Sequence, residues 1–275
     1  MKKNTVQTVI KGVCIGASML IPGVSGGTMA IILGEYDKLV HAVSTFRKDM
    51  RNHTVYLLTF LCGGLAGVLL FARLLLYLVE CFEKPMMFLF LGAVLGSIPM
   101  LFQKTGERKV SFSSAGYVLL GILIVLLLGN LPSNLLAGDT EHFSFIWMGV
   151  SGFIIAIALV LPGISASYML LMLGLYDLTL QAISRFDVFF LLPLGIGAVA
   201  GILLTTGVLE KCMQKHPKGT FLLIIGFVCG AVPEIFPGIP SGWELAASVI
   251  LFFIGYGIIR QLGKMPAQSA SSLPI

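Results

Sequence analysis

Residues 19–46 read MLIPGVSGGTMAIILGEYDKLVHAVSTF, and residues 159–186 read LVLPGISASYMLLMLGLYDLTLQAISRF. Set against each other without a gap at an offset of 140, 11 of 28 positions are identical: Pro22/Pro162, Gly23/Gly163, Ser25/Ser165, Met29/Met169, Leu33/Leu173, Gly34/Gly174, Tyr36/Tyr176, Asp37/Asp177, Ala42/Ala182, Ser44/Ser184 and Phe46/Phe186. Chance agreement in such a composition is roughly two or three positions. A further echo follows at an offset of 134, through Gly63/Gly197, Gly67/Gly201, Gly92/Gly226, Gly96/Gly230, Pro99/Pro233 and Phe102/Phe236. The chain reads as two copies of one unit.

The solvent of that unit follows from its composition. Of 275 residues, 57% are hydrophobic and only 11% charged, against about 25% charged in a soluble domain. Eighteen basic and 13 acidic side chains cannot clothe a water-facing surface of this size, so most of the outer surface faces lipid. The 32 glycines are in keeping with membrane helices, where small residues let backbones approach. The four histidines are scattered and the five cysteines form no CxxC pair. Nothing indicates a metal or organic cofactor, or a disulfide framework. The basic residues come in short clusters between apolar segments, which argues for membrane orientation and against nucleic acid.

Apolar runs at 55–80, 86–103, 113–131, 187–210, 219–236 and 243–260 each approach the length of a spanning helix. Two further apolar regions, 6–46 and 144–186, are broken near the middle by Pro-Gly. The limb from Val6 to Leu20 makes about 22 Å of helix, short of a hydrocarbon core of roughly 30 Å. Each broken region therefore reads as a re-entrant hairpin that returns to its own side; a pair of short spanning helices gives the same parity. The expected architecture is an all-α polytopic membrane protein of two repeats, 1–137 and 138–275, each a hairpin followed by three spanning helices.

Charge placement orients it. With the N-terminus inside, the cytoplasmic segments hold 14 of the 18 basic residues, among them Lys2, Lys3, Lys11, Arg47, Lys48, Arg51, Lys211, Lys215 and Lys218. The opposite side carries mostly acids, such as Glu80, Glu83, Asp187, Glu234 and Glu244. Both termini are thus expected in the cytoplasm. Lys11 interrupts what would be the core of a signal peptide, and the motif after it recurs deep in the chain, so the N-terminal segment belongs to the fold. Three crossings per unit is an odd number, so the second copy is inverted relative to the first. Inverted repeats with broken helices place a substrate site near the midplane, where the breaks meet.

The breaks have a chemistry. After Pro22 and Gly23 the returning limb starts at Ser25, Gly26, Gly27 and Thr28, with backbone N–H groups that lack helical partners. Gly163, Ser165 and Ser167 offer the equivalent in the second copy. Unpaired N–H groups beside hydroxyls suit a phosphate or carboxylate. One such tip alone is equally well an N-cap with no ligand; two at membrane depth call for a reason. Arg73, inside a spanning run, either snorkels to the headgroups or meets an anion from that leaflet. Glu35, Asp37 and Asp177 on the returning limbs are candidates for coupling or gating, or are helix-end devices.

PGVSGGT followed by LGEYD, repeated as PGISAS with LGLYD, resembles the polyprenyl-phosphate translocase family (PopT), over about residues 5–262. Ala166 and Ser167 depart from the glycines of the first copy. The resemblance implies a transporter, not an enzyme. The resemblance further implies that undecaprenyl phosphate, the C55 lipid carrier of envelope polymers, is returned from the outer to the cytoplasmic leaflet of a bacterial plasma membrane. Two other readings remain open. A carrier of a small soluble anion could use the same tips. The BacA-type undecaprenyl-pyrophosphate phosphatases resemble such a repeat too, but their motif carries an arginine after the serine and acidic residues nearby, where this chain has Gly26 and Gly27.

Overall fold

A computed structural model describes residues 2–19, 26–107, 111–130, 145–164 and 166–264. Among them every regular element is helical. In chain order these are α1 (Lys2–Ser18), α2 (Gly26–Ile32), α3 (Tyr36–Ser44), α4 (Met50–Cys81), α5 (Glu83–Lys104), α6 (Phe112–Gly129), α7 (Phe145–Val160), α8 (Ala166–Met172), α9 (Tyr176–Arg185), α10 (Val188–Lys215), α11 (Pro217–Gly230), α12 (Val232–Ile235) and α13 (Trp243–Lys264). A 3-10 turn, Phe46–Lys48, leads from α3 towards α4. Helix is what lipid permits, because each backbone polar group is satisfied within its own segment.

Six described stretches are long and apolar enough to cross a membrane: Met50–Phe71, Glu83–Lys104, Phe112–Gly129, Val188–Lys215, Pro217–Ile235 and Trp243–Gln261. The chain is an all-helical, multi-pass membrane protein. Acidic caps start two of the helices at equivalent places. Asp49 accepts from the backbone N–H of Asn52 ahead of α4, and Asp187 from that of Phe190 ahead of α10. Large apolar side chains such as Leu69, Leu70, Leu204 and Phe253 stand exposed on the outside of the bundle, where lipid covers them.

Glycine seams hold the helices together. On α1 against α4, a Cβ at Gly12 would stand 2.6 Å from the Phe60 carbonyl oxygen, and one at Gly63 2.6 Å from that of Val9. Between α7 and α10 the same seam recurs with Gly152 on Leu194 and Gly197 on Gly149, each pair displaced by the sequence offsets. The other long seams cross between the halves. Gly92 of α5 abuts Phe252 of α13, while Gly226 of α11 abuts Val118 of α6. Gly255 on Leu89 and Gly121 on Leu223 complete the two sets. A contact from the first half to the second thus maps onto one from the second to the first. The helices α5 and α11, buried along much of their length, lie side by side at the centre.

The short helices are also built alike. Gly34 and Gly174 both hold φ at 67°, the left-handed conformation that ends a helix in a Schellman motif. After α2, Glu35 N–H donates to Ala30 O and Gly34 N–H to Ile31 O; after α8, Leu175 N–H donates to Leu170 O and Gly174 N–H to Leu171 O. Seven residues of α2 or α8 rise only about 10 Å, far less than a bilayer core.

Candidate functional site

The two broken regions touch. The backbone N–H of Gly163 donates to Thr28 Oγ1 at 3.1 Å, and Thr28 is 2% exposed. Tyr36 OH donates to the carbonyl of Val160 at 2.8 Å, pinning the start of α3 to the end of α7. Gly163 has φ 81°, and any Cβ there would collide with the Phe227 carbonyl of α11. Only glycine fits, for backbone angle and for space. The second break is therefore fixed on three sides: by α11, by Thr28 and, through Val160, by α3.

Of the phosphate candidates, Gly26 and Gly27 open α2 half-buried, and Thr28 is buried behind them. Their N–H groups fall in the first turn, where a helix supplies no acceptor. Ser167 falls in the first turn of α8. Gly23, Ser25 and Ser165 lie outside the described residues. A small pocket opens beside the second break, between Gly163 and Ile164, Tyr168 of α8 and Gly129 of α6, with Glu234 of α12 at its rim. Sequence reasoning counted Glu234 only as an outer-side acid. No local signal in the chain places it 71 residues downstream of the glycine it neighbours.

Glu35 is 2% exposed and fully engaged. Its Oε1 receives Lys11 Nζ at 2.7 Å and Lys38 Nζ at 2.9 Å, and its Oε2 accepts from Tyr56 OH at 2.9 Å. This clasp ties α1, α3 and α4 to the turn after α2. At the equivalent positions of the second half stand Leu175, Ser151, Leu178 and Phe190, and Leu175, Leu178 and Phe190 pack in one apolar cluster. One geometry is thus made with charge in one half and without it in the other. Asp37 pairs with Lys104 of α5, whereas Asp177 is exposed and has no ion pair among the described residues. A further link joins α3 to α10: His41 Nδ1 is 2.5 Å from Glu210 Oε1, and Ser44 Oγ donates to the same carboxylate.

Arg73 is exposed on α4, eight residues before the helix ends at Cys81, or about 12 Å along its axis. Among the described residues it makes no ion pair and is joined to neither break. The structure therefore brings together Thr28 and Gly163 and leaves Arg73 apart, towards the opposite end of α4 from the basic cluster at Arg47, Lys48 and Arg51.

Comparison with known proteins gives one consistent family. The family described as undecaprenyl phosphate translocase-like matches residues 15–245. A protein of Staphylococcus aureus named polyprenyl-phosphate transporter is 33% identical over 276 residues, covering 95% of this chain and 97% of its own. A Vibrio cholerae protein with the same name is 27% identical over 252 residues, covering 85% of this chain and 78% of its own. No solved structure matches the chain significantly.

Proposed function

The chain belongs to the undecaprenyl phosphate translocase-like family, and on that premise we propose that it carries undecaprenyl phosphate from the outer leaflet of a bacterial plasma membrane to the cytoplasmic leaflet. There the lipid re-enters synthesis of envelope polymers. The two relatives named polyprenyl-phosphate transporter support the substrate class and a transporter over a hydrolase. Direction is supported by Arg73, a cation set towards the end of α4 that charge placement assigns to the outer side.

The observation that carries the reading is the hydrogen bond from Gly163 to Thr28. It joins the two breaks, where non-helical backbone lies among membrane helices and must have a purpose. In this proposal the halves, 1–137 and 138–275, are inverted repeats. Their hairpins are re-entrant, α2 and α8 being too short to cross, and both termini are cytoplasmic. The phosphate is held between the breaks by the first-turn N–H groups of Gly26, Gly27 and Thr28, with Gly23, Ser25, Gly163, Ser165 and Ser167 around it. Helices of seven residues have weak dipoles, so these donors, not the macrodipole, supply the attraction. The prenyl tail stays in the bilayer, and rocking of one repeat against the other alternates access.

The test is reconstitution into liposomes, with C55 phosphate followed between leaflets for wild type and for Ser25→Ala, Ser165→Ala and Arg73→Ala. Wild type moves the lipid and each variant slows it. Equilibration of a soluble anion with no movement of lipid phosphate would sink the proposal.

A further inference from the structure

The two halves share their seams but not their closure. Helix α3 lies along α10, with Tyr36 and Val40 buried, Phe46 half-buried and Glu210 bridged to both His41 and Ser44. Two-fold equivalence would lay α9 along α4 in the same way. Among the described residues it does not: α9 packs only lightly on its own α10 and α8 and has no comparable contact with α4. Its equivalents are uncovered, Leu180 being 51% exposed where Val40 is 4%, and Phe186 84% exposed. The chain leaving α9 is also strained, with Phe186 at φ 54°, a left-handed conformation unfavourable for an aromatic residue. The equivalent Phe46 opens a relaxed 3-10 turn.

We infer that this structure is the outward-open state of the transporter, that the bridge from His41 and Ser44 to Glu210 is its cytoplasmic gate, and that the uncovered face of α4 bearing Arg73 is the mouth that receives a lipid phosphate. The inference rests on the proposed inverted repeat with cytoplasmic termini. In the alternate state α9 closes on α4 as α3 now closes on α10, and α3 releases Glu210.

Chemistry explains why this state is the resting one. The cytoplasmic gate is hydrogen-bonded, with one carboxylate between two polar side chains. At the equivalent positions of the outer gate stand Gln181, Ser184 and Leu76, and Leu76 offers no acceptor to the other two. Closing α3 gains a carboxylate with two partners; closing α9 gains no such bond, so the empty protein waits open to the outer leaflet. Arg73 precedes position 76 by three residues, which puts it on the same face one turn deeper. The closing α9 would cover it. A cation reachable only while the outer gate is open binds an anionic head at the start of the cycle and is screened afterwards, so it does not retain the head.

Thiol labelling tests the gate without requiring transport. In the full-length chain with its five cysteines changed to alanine, single-cysteine variants Arg73→Cys and Gly207→Cys report the equivalent sites of α4 and α10. Gly207 is half-buried where Arg73 is exposed, and a Cβ at Gly207 collides with nothing. A membrane-impermeant maleimide is expected to label position 73 from the outer side at least tenfold faster than position 207 from the cytoplasmic side. Glu210→Ala should raise labelling at 207 and lower it at 73 by threefold or more. His41→Ala with Ser44→Ala, which keeps Glu210, should do the same should Glu210→Ala fold poorly. Equal labelling at the two sites, labelling of 73 from the cytoplasmic side, or indifference of both sites to the gate variants overturns the inference. If labelling shifts as described while C55 phosphate never changes leaflet, the gate stands and the substrate reading fails.

Discussion

Gly163 and Thr28, 135 residues apart in the chain, are joined by one hydrogen bond from backbone N–H to Oγ1. Both groups are buried, so neither has water as a substitute partner. Thr28→Val keeps the shape and removes the acceptor. It should cost about 1–3 kcal/mol, the penalty for stranding a buried donor. Thr28→Ser should recover most of that. Thermal midpoints in detergent measure the loss, and C55-phosphate movement in liposomes should fall in the same order.

Two glycines separate two kinds of constraint. Gly34 needs only its left-handed backbone, having no neighbour within reach of a Cβ. Gly34→Ala should therefore cost about 1 kcal/mol. Gly163→Ala adds a collision with the Phe227 carbonyl and should lower the midpoint distinctly further. Equal shifts for the two variants would contradict the packing described.

The Glu35 clasp has its own control built into the chain. Glu35→Gln leaves Lys11 and Lys38 without their carboxylate, and should cost about 2 kcal/mol given that both lysines keep some access to water. The combined change Lys11→Ser, Glu35→Leu, Lys38→Leu and Tyr56→Phe copies the second half into the first. It should be more stable than Glu35→Gln alone, as read by thermal midpoint.

Much of the fold was legible because lipid leaves few choices. Six spans followed from apolar length, and the equivalent seams from glycines that recur at two offsets, 140 and 134. At the site, the sequence singled out Thr28 and Gly163 separately, as members of two breaks. The partners that came from far away were not legible. Lys11 is 24 residues from Glu35, and Glu210 is 166 residues from Ser44; no periodicity links such groups. The difference between the halves was hidden for another reason. Glu35 opposite Leu175 looks like drift in an alignment, and becomes a charged and an uncharged version of one clasp only when the neighbours are known.

Arg73 should act through both its charge and its planar fork. Arg73→Gln is expected to slow C55-phosphate movement by about tenfold, the worth of one charge-assisted hydrogen bond. Arg73→Lys should restore part of the rate, since an ammonium keeps the charge without bidentate geometry. An initial rate at low lipid loading, where capture limits, is the appropriate measurement.

Acid should loosen the loop after α5. Lys218 and, secondarily, Ser114 hold the Glu107 carboxyl below the usual carboxylate range. A depressed value contributes stability that is present above that range and is lost as pH falls through the depressed value. Glu107→Gln should lower the neutral plateau of a plot of thermal midpoint against pH towards its acid value, and so flatten the acid limb. An unaltered acid limb would show that this pair does not hold the loop.

The exchanged seams have a consequence for how the protein is made. Gly92 and Gly96 of α5 find their partners on α13, which starts at Trp243, whereas α5 ends at Lys104. At ribosomal speeds of roughly 5–20 residues per second the central helix of the first half waits on the order of ten seconds for its mate. During that time its small-residue face lies open to lipid or to the insertion machinery. Neither half is a self-sufficient folding unit, and a chain stopped before α13 leaves α5 unmatched. Quality control at the membrane therefore meets every molecule first as an incomplete one, and α13 completes the first half.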